Sequence, residues 1–322
     1  MPPVFALGTA ALGRPGYVTL NHAAALGGNY DPAAMESHAH DVLDVARAAG
    51  IRYIDCARSY GRAEDFVASW LALRGIAAGE FVIASKWGYT YTAGWSTTAE
   101  QHEVKDHSLA TFNRQLAESV DRLGAHLSLY QIHSVTAEST TLDDDALIDA
   151  IARLREKGIR AGLTVSGPRQ DVAIRRSLEV RRDGERVFDS VQATWNLLER
   201  GAESALTEAR AAGMKVVVKE ALANGRLTDD NRYYESVLSP LVAKIREIAD
   251  SRATTIDMLA LGAALAQPWA DIVLSGAATV AQLEANVEAI GFGWGEEIEA
   301  EVRAIAIDSA DYWRARSGFD WN

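Results

Sequence analysis

The stretch Tyr53-Ile54-Asp55 is followed by Ala63–Leu73 and then by Phe81-Val82-Ile83-Ala84-Ser85. The first and third pieces are short and apolar, with β-branched and aromatic residues that favour strands. The middle piece spaces its apolar residues at helical intervals. A strand, a helix and a strand in this order are typical of a βαβ unit, in which a crossover helix joins two parallel strands.

This alternation continues along most of the chain. Strands are predicted at 4–8, 53–55, 81–85, 127–132, 161–165, 187–193, 214–218 and 271–274. Helices are predicted at 38–49, 63–73, 108–123, 144–156, 169–180, 203–212, 240–251 and 280–290. Eight such units in 322 residues predict an α/β fold, a (β/α)8 TIM barrel that forms a single domain over residues 1–322. A doubly wound sheet is the alternative, and it is disfavoured because Gly-x-Gly-x-x-Gly follows none of the strands.

The charge balance limits the partners of the protein. Acidic residues outnumber basic ones by 44 to 32, and the resulting net charge of -12 disfavours nucleic acid and anionic membrane surfaces. No apolar run reaches ~18 residues, and residues 1–8 lack the basic start of a signal peptide. The single cysteine, Cys56, excludes an internal disulfide. We therefore expect a cytoplasmic protein without a membrane segment.

Three segments outside the repeat are rich in aromatic residues: 87–106 after the third strand, 221–239 after the seventh, and the C-terminal tail 310–322. In a barrel, the loops that follow strands form the active face. We expect Trp87, Tyr89 and Trp313 to line a substrate pocket there. The alternative is that these aromatic residues only pack the loops onto the barrel rim.

Four polar residues follow three consecutive strands. Asp55 ends the second strand, Lys86 follows the third and His133 follows the fourth, while Tyr60 lies in the loop after Asp55. Because the carboxyl ends of barrel strands meet at one mouth, we expect these side chains to lie together. Each residue alone is more often a cap, a solvated charge or a packed ring, and their shared location favours a catalytic site.

This set suits proton transfer from a phenol. A free tyrosine has a pKa near ~10, which is too high for ready proton exchange at neutral pH. A Lys86 ammonium at ~4 Å would favour the phenolate of Tyr60 by up to about 4 kcal/mol at an effective dielectric constant of ~20. Asp55 would hold Lys86 in place, and His133 would orient a substrate oxygen through a hydrogen bond.

No metal site is evident in the sequence. His38 and His40 are two residues apart, which is the wrong spacing for one face of a helix. His102 and His107 have no third ligand of suitable type at short range. A metal-dependent barrel hydrolase is therefore disfavoured, and we expect no metal cofactor.

Five short motifs share a pattern with a known family. They are Gly50-Ile51-Arg52-Tyr53-Ile54-Asp55-Cys56-Ala57 with Tyr60-Gly61, Ile83-Ala84-Ser85-Lys86, Leu129-Tyr130-Gln131-Ile132-His133, Val191-Gln192-Ala193-Thr194-Trp195-Asn196-Leu197-Leu198, and Gln282-Leu283-Glu284-Ala285-Asn286. These motifs resemble the aldo-keto reductase family. The resemblance implies a TIM barrel that binds a nicotinamide dinucleotide across its mouth and reversibly reduces a small aldehyde, ketone or sugar to the alcohol.

The resemblance also implies roles for individual residues. Tyr60 would donate or accept the proton, with Lys86 and Asp55 tuning it, and His133 would position the substrate oxygen. Toward the cofactor, Ser166 and Gln192 would hold the nicotinamide carboxamide, and Asn286 would contact the adenine.

Two departures from the family pattern lie near the nicotinamide. Gly167 stands after Ser166 where the family has an asparagine, so one side-chain contact to the carboxamide is lost. Lys219 stands where the family has an aromatic residue that stacks on the nicotinamide. A cation beside the oxidised ring is unfavourable unless it is paired, and an ion pair between Lys219 and Glu220 is the alternative use of this lysine.

A third departure concerns the phosphates. Members that bind NADP carry Lys or Arg in the turn after strand eight and on the following helix, because a 2′-phosphate needs charge-assisted donors. The corresponding residues here are uncharged: Gly276, Ala277, Ala278 and Gln282. The turn retains backbone N–H groups at a helix N-terminus. We therefore expect NAD(H) to be preferred and NADP(H) to be possible, since a distant arginine such as Arg226 or Arg232 could supply the missing charge.

Two further alternatives stay open. Arg58, between Asp55 and Tyr60, either binds an anionic or hydroxyl-rich substrate or forms a salt bridge with a loop acid. The chain is either an oxidoreductase or a cofactor-binding regulatory protein with little turnover, and the altered nicotinamide site keeps the second function in view. The sequence leaves the physiological substrate, the reaction direction and the oligomeric state undetermined.

Overall fold

The computed structural model describes residues 3–20, 22–229 and 238–321. Arg232, one of the two arginines considered as a source of charge for a 2′-phosphate, lies outside the described residues. Eight parallel strands close into a barrel in chain order, and the first pairs with the last. They are β1 (Val4–Gly8), β2 (Tyr53–Asp55), β3 (Val82–Trp87), β4 (Leu127–Val135), β5 (Arg160–Val165), β6 (Ser190–Thr194), β7 (Lys215–Lys219) and β8 (Ile272–Ser275). The predicted TIM barrel is confirmed.

Helices surround this barrel. The longer ones are α1 (Pro32–Ala48), α2 (Ala63–Leu73), α3 (Leu109–Leu123), α4 (Asp145–Ala152), α5 (Gln170–Glu179), α6 (Glu203–Ala211), α7 (Ser239–Ser251), α8 (Ile256–Leu265), α9 (Val280–Glu288), α10 (Glu296–Arg303) and α11 (Ser309–Ser317). Shorter helical turns are His22–Ala25, Gly124–His126, Thr141–Asp143, Arg153–Lys157, Ala223–Gly225 and Ala289–Gly291. None of the described helices is both long and apolar enough to cross a membrane.

The seventh unit contains two helices where one was predicted. α7 corresponds to the prediction, whereas α8 was missed. Most residues of α8 are buried, since it packs against β8, α7 and α9. A helix buried on several sides has an apolar sequence without the one-sided pattern that identifies surface helices, and this explains the omission.

The predicted aromatic segments contain more regular structure than expected. In 87–106, the strands Tyr89–Tyr91 and Glu103–Lys105 form an antiparallel hairpin. Outside these segments, a smaller hairpin joins Arg181–Arg182 to Glu185–Arg186. Most of the C-terminal tail forms α11, whose N-terminus is capped by the Asp308 side chain. Tyr89 of the first hairpin and Trp313 of α11 are therefore carried on regular secondary structure.

The barrel interior has an apolar lower layer. Ala6, Tyr53, Ala84, Leu129, Val217 and Leu274 form a separate buried cluster, with one residue from each of six strands. Side chains two residues apart on a strand point to the same face. The next inward residues toward the mouth therefore include Asp55, Lys86, Gln131 and Lys219. The polar layer rests on an apolar floor that keeps water out from below.

Two glycines bring the loops after β1 and β2 into contact. A Cβ atom on Gly13 would lie 2.2 Å from the backbone oxygen of Tyr60, and one on Gly61 would lie 2.4 Å from the backbone oxygen of Gly13. The backbone N–H of Arg62 donates to the Gly13 carbonyl at 2.7 Å. Gly61 also has a φ of 61°, which disfavours other residues. Glycine at these positions permits the approach that places Arg14 beside Tyr60.

We predict that Gly13→Ala lowers the free energy of unfolding by about 1–3 kcal/mol, because the added methyl group overpacks a backbone contact that has no room for it. Denaturant unfolding followed by tryptophan fluorescence measures this loss. Gly293→Ala is the matched control, since a Cβ atom there meets nothing within 4 Å. Equal stabilities of the two variants would contradict the assigned role of Gly13.

Candidate active site

A cavity of about 890 Å3 opens at the carboxyl ends of the strands. Asp55, Tyr60 and His133 line it. Lys86 is only 1% exposed and lies next to Asp55 and Tyr60. The four predicted catalytic side chains therefore lie together, as the sequence predicted.

Lys86 is at the centre of this group. Its ammonium forms an ion pair with Asp55, donates to the Cys56 carbonyl at 2.9 Å and donates to the Tyr60 hydroxyl at 3.3 Å. The Lys86 nitrogen also lies 4.6 Å from the centre of the Tyr60 ring. These contacts make a continuous polar path from the buried carboxylate to the phenol at the cavity surface.

Asp55 has two further donors that fix its second carboxylate oxygen. The side-chain amides of Gln131 and Gln192 donate to Oδ1 at 3.3 and 3.1 Å. Gln192 was predicted only as a carboxamide ligand, and Gln131 was not predicted at all. A signal for Gln131 was present, because it stands two residues before His133 and so faces the same side of β4.

Tyr60 is half-buried and its phenol is stabilised in the protonated form. Burial, followed by the negative charge of Asp55, raises the pKa of Tyr60 well above its usual value. The sequence argument gave the greater weight to the ammonium of Lys86. Desolvation and the adjacent carboxylate outweigh that attraction, because Asp55 pairs directly with Lys86. The Tyr60 hydroxyl therefore carries its proton at neutral pH.

His133 is held as a neutral imidazole. Burial and the positive charges of Lys86 and Lys219 lower the pKa of His133 well below its usual value. Its ring contacts Tyr60 and Tyr89 edge to face, with centroid distances of 5.7 and 5.0 Å. The His107 ring Nε2 lies 2.8 Å from the His133 carbonyl oxygen and donates to it. A neutral ring can donate a hydrogen bond to an oxygen without repelling the nearby cations.

Sequence reasoning missed Arg14, which follows β1. Its side chain is buried, and one terminal nitrogen donates to the Ser59 carbonyl at 2.7 Å and to Glu103 at 3.0 Å. The guanidinium carbon lies 5.1 Å from the centre of the Tyr60 ring. A cation just after a barrel strand was the available signal, but the strand assignment alone did not indicate where its side chain points.

Lys219 pairs with Glu220, as the alternative interpretation predicted. The two charged groups are 3.7 Å apart, and the Lys219 ammonium also donates to the Thr194 hydroxyl at 2.7 Å. Glu220 is shared with Arg316 of α11, which donates to both carboxylate oxygens at 2.6–3.1 Å. Burial lowers the pKa of Lys219 to about 8, although Glu220 opposes this effect. Two cations therefore share one carboxylate beside the cavity.

The residues predicted to contact the cofactor all line the same cavity. They are Ser166, Gln192, Lys219, Gly276, Ala277, Ala278, Gln282 and Asn286, with Gly167 beside them. The cavity thus extends from the barrel mouth to the turn after β8 and the first turns of α9. The structure gives the locations of these residues, and their contacts to a cofactor remain predictions.

The turn after β8 is stabilised by its own side chains. The Ser275 hydroxyl accepts from the Ala277 N–H at 3.2 Å and from the Asn286 amide at 3.0 Å. The Gln282 amide oxygen accepts from the Ala278 N–H at 2.8 Å. Gln282 therefore occupies one backbone donor at the position where a cation was expected in an NADP site.

Two predicted substrate residues are placed elsewhere. Arg58 forms salt bridges with Glu64 at 2.5 Å and Glu118 at 2.9 Å, so it joins α2 to α3 and is absent from the cavity lining. Trp87 is 1% exposed and packs on His107 and Phe112, because it follows Lys86 on β3 and points to the opposite face. For Arg58 the salt-bridge alternative is therefore the one that the structure shows. The expectation that Trp87 lines the pocket is contradicted.

The other two predicted substrate residues do line the cavity. Tyr89 contacts His133, and the Trp313 ring lies 5.8 Å from the Lys219 ammonium. Tyr89 comes from the hairpin after β3, and Trp313 comes from α11. The hairpin after β3 and the helix α11 thus each contribute an aromatic side chain to the cavity wall. Within the described part of the chain, no three His, Cys, Asp or Glu residues are grouped to hold a metal ion.

Comparison with known proteins identifies the family. The model of the Aldo/keto reductase family matches residues 23–306, and the chain belongs to this family. The curated relative "Protein tas" of Escherichia coli (strain K12) is 27% identical over 318 residues, which cover 84% of this chain and 89% of the relative. Family membership supports NAD(P)-dependent oxidoreduction of carbonyl compounds.

Two solved structures are similar in fold. Aldo-keto reductase AKR11C1 from Bacillus halodurans (holo form) has a TM-score of 0.72 and 23% identity, covering 97% of this chain and 94% of that chain. Glycerol dehydrogenase AKR11B4 from Gluconobacter oxydans has a TM-score of 0.70 and 22% identity, covering 94% and 90%. At these identities the similarity shows the barrel fold.

The donor groups of the cavity fit a nicotinamide dinucleotide. Ser166 and Gln192 present a hydroxyl and an amide near Asp55, Tyr60 and His133. The N-terminus of α9 faces the other part of the cavity, and helix N-termini bind phosphate groups through backbone N–H groups. Hydrogen-bonding side chains at one end of the cavity and a helix N-terminus at the other thus suit the carboxamide and the phosphates of such a cofactor.

We predict that Lys219→Met changes how stability depends on pH. The pKa of Lys219 falls from 10.5 to about 8 on folding, so the unfolded chain binds more protons between these values. The wild-type protein therefore gains stability as the pH rises through this window, and the variant lacks this gain. The free energy of unfolding of the wild type, relative to that of Lys219→Met, should increase by about 2–3 kcal/mol between pH 8 and 10.5.

Denaturant titrations at several pH values measure this difference. Lys215→Met, at the exposed start of the same strand, is the matched control. If the difference in free energy of unfolding between Lys219→Met and the wild type does not depend on pH, burial does not lower the pKa of Lys219 in the folded protein.

Proposed function

We propose that the protein is an NAD(P)-dependent oxidoreductase that reversibly transfers hydride between nicotinamide and the carbonyl carbon of a small aldehyde, ketone or sugar. The observation that carries this proposal is the contact chain from Asp55 through Lys86 to the Tyr60 hydroxyl, which ends at the cavity surface beside His133. When bound, the cofactor supplies or accepts the hydride. The protein side chains supply the proton and hold the oxygen.

Each of the four residues has a distinct task in this proposal. Tyr60 donates the proton to the carbonyl oxygen in reduction and takes it from the hydroxyl group in oxidation. Lys86 stabilises the phenolate that remains after donation, since its ammonium lies 3.3 Å from the hydroxyl. Asp55 holds Lys86, and neutral His133 donates a hydrogen bond that orients the substrate oxygen.

The walls of the cavity support a substrate class. Tyr89 places aromatic surface against His133, and Trp313 places it near Lys219, which suits a small molecule with an apolar or sugar-like face. The cofactor ligands in this proposal are Ser166 and Gln192 at the carboxamide and Asn286 at the adenine. Lys219, neutralised in part by Glu220, borders the nicotinamide.

We infer a preference for NAD(H) over NADP(H). The turn of Gly276, Ala277 and Ala278 has no cation, and Gln282 caps the turn. Arg226, one of the two residues that could supply a charge, is 1% exposed and stacks on Tyr312 and Phe319 at 4.4 and 5.1 Å. A 2′-phosphate would therefore lack charge-assisted donors from these residues.

A carboxylate in the same cavity supports this preference. Asp257 lies in the first turn of α8 and lines the cavity together with the turn after β8. α8 packs against both β8 and α9, which brings the first turns of the two helices to the same side of the barrel. A carboxylate there accepts hydrogen bonds from ribose hydroxyls and repels a phosphate.

The alternative function is that of a cofactor-binding regulatory protein with little turnover. Gly167 and Lys219, which lie in the predicted nicotinamide site, are the observations that favour it. Single-turnover hydride transfer from bound NADH to 4-nitrobenzaldehyde separates the two functions. Oxidation of the bound NADH by the aldehyde supports the enzyme, and unchanged NADH supports the binding protein.

We predict that Tyr60→Phe lowers kcat by about 10²–10⁴-fold, because the proton donor is lost while the ring is retained. Its affinity for NADH, measured by fluorescence titration, should stay within twofold of the wild-type value. Tyr30→Phe removes the same hydroxyl outside the cavity and is the matched control. Normal turnover by Tyr60→Phe would show that another group donates the proton.

We predict that wild-type protein binds NADH at least tenfold more tightly than NADPH, and that Gln282→Arg reverses most of this difference. The introduced guanidinium supplies a donor for the 2′-phosphate and releases the Ala278 N–H from its cap. Fluorescence titration with both cofactors measures the change. Ile290→Arg adds the same charge at an exposed residue beyond α9 and should change neither affinity. Tighter binding of NADPH by the wild type would refute the preference.

A further inference from the structure

We propose that Arg14 is a positioning residue for Tyr60: its guanidinium holds the phenol ring toward Lys86 and His133 and stabilises negative charge on the phenol oxygen. The guanidinium carbon lies 5.1 Å from the Tyr60 ring centre, within the range of a cation–π contact. This inference rests on the proposed function, because it assigns Tyr60 the proton transfer. No role for Arg14 follows from the strand motifs.

The position of Arg14 is determined by contacts on three sides. It donates to the Ser59 carbonyl at 2.7 Å, directly before Tyr60 in the chain, and to Glu103 of the hairpin at 3.0 Å. Its guanidinium carbon lies 4.6 Å from the ring centre of Trp321, near the end of the chain. With a side-chain exposure of 3%, Arg14 has little freedom to leave the Tyr60 ring.

The close approach of Gly13 and Gly61 makes this arrangement possible. The two loops touch through backbone atoms, so the residue after Gly13 and the residue before Gly61 are side by side. A side chain on either glycine would separate them. The two loops therefore hold a guanidinium against the proposed proton donor through backbone geometry as well as through hydrogen bonds.

Tyr60 is surrounded by charges of both signs. Lys86 at the end of β3 and Arg14 after β1 favour its ionised form, and Asp55 at the end of β2 opposes it. Glu103 of the hairpin and Glu220 after β7 also oppose ionisation. Two further titratable groups near Tyr60 are His133 on β4 and Tyr17 in the loop after β1.

Arg14 differs from Lys86 in how it acts on the phenol. Lys86 donates to the phenol oxygen, and its pairing with the buried Asp55 cancels part of its charge there. Arg14 touches the ring face, and its partner Glu103 is half-buried at the cavity edge. The pair Arg14 and Glu103 can therefore shift the acidity of Tyr60 in opposite directions when either charge is removed.

Reduction needs the protonated phenol, so its rate falls as the pH rises through the pKa of Tyr60. Removal of the Arg14 cation should raise this pKa by about one unit and move the alkaline limb to higher pH. The phenol is then a weaker acid, and kcat/KM at neutral pH should fall about threefold. Removal of the Glu103 anion should move the limb to lower pH, because that charge raises the pKa of Tyr60.

The experiment measures pH profiles of kcat/KM for the reduction of 4-nitrobenzaldehyde with saturating NADH. The variants are Arg14→Met, Arg14→Lys and Glu103→Gln. Arg14→Lys keeps the charge and should restore the wild-type limb at least in part. Arg52→Met is the matched control, since the Arg52 guanidinium lies 5.2 Å from the Phe81 ring centre at the opposite end of β2. Its profile should match that of the wild type.

Opposite shifts in Arg14→Met and Glu103→Gln support the proposal, and a purely structural role would lower the rate in both without moving the limb. If the alkaline limbs of the pH profiles do not move in the Arg14 and Glu103 variants while Tyr60→Phe loses kcat as expected, only the role of Arg14 is overturned. Normal turnover by Tyr60→Phe would overturn the proposed function instead. If Arg14→Met fails to fold, the downward shift in Glu103→Gln decides, and its absence overturns the proposal.

Discussion

The buried ion pair between Lys86 and Asp55 is the interaction on which the site depends. Placing two charges inside a barrel costs several kcal/mol per ion in desolvation unless donors and acceptors surround them. Here the Cys56 carbonyl accepts from Lys86, and the amides of Gln131 and Gln192 donate to Asp55. The apolar layer beneath excludes water, so each of these partners is required. The pair therefore constrains the inward-facing residues of β2, β3, β4 and β6 together.

The loops around the mouth are organised by a second set of charges. Arg14 after β1 pairs with Glu103 of the hairpin, and Arg316 of α11 pairs with Glu220 after β7. Each pair joins a segment near the barrel mouth to one that is distant in the chain. Because these side chains are largely buried, breaking either pair leaves a charge with poor access to water. The same pairs that hold the loops in place thus determine the electrostatic potential at the cavity.

The sequence was sufficient to predict the barrel and the grouping of polar side chains at its mouth, for a physical reason. Strand alternation has a period of two, and strands that close into a barrel bring their carboxyl ends together, so Asp55, Lys86 and His133 could be placed without a structure. The same alternation explains the error at Trp87, because this residue follows Lys86 on the strand and its side chain points outward. It also predicts that Gln131 faces the same side of β4 as His133, which was overlooked.

Residues supplied by loops and by the C-terminal helix could not be placed in this way. Arg58 was assigned by its proximity to Asp55 in the chain, whereas its direction depends on Glu64 and Glu118, the second of which is 60 residues away. Arg14 and Arg316 reach the mouth because of contacts with Glu103 and Glu220 that leave no periodic pattern. Long-range ion pairs involve residues whose separation in sequence carries no information about their separation in space.

The two ends of the cavity therefore follow different rules. At the barrel mouth, register and burial require particular charged groups, and a neutral replacement leaves a buried partner without compensation. At the turn after β8, Ser275 and Gln282 satisfy the backbone N–H groups of Ala277 and Ala278 without any charge. Uncharged side chains cap this turn, so its shape does not depend on a cation there. The charged group at the barrel mouth and the uncharged turn after β8 are thus held by separate sets of contacts within one cavity.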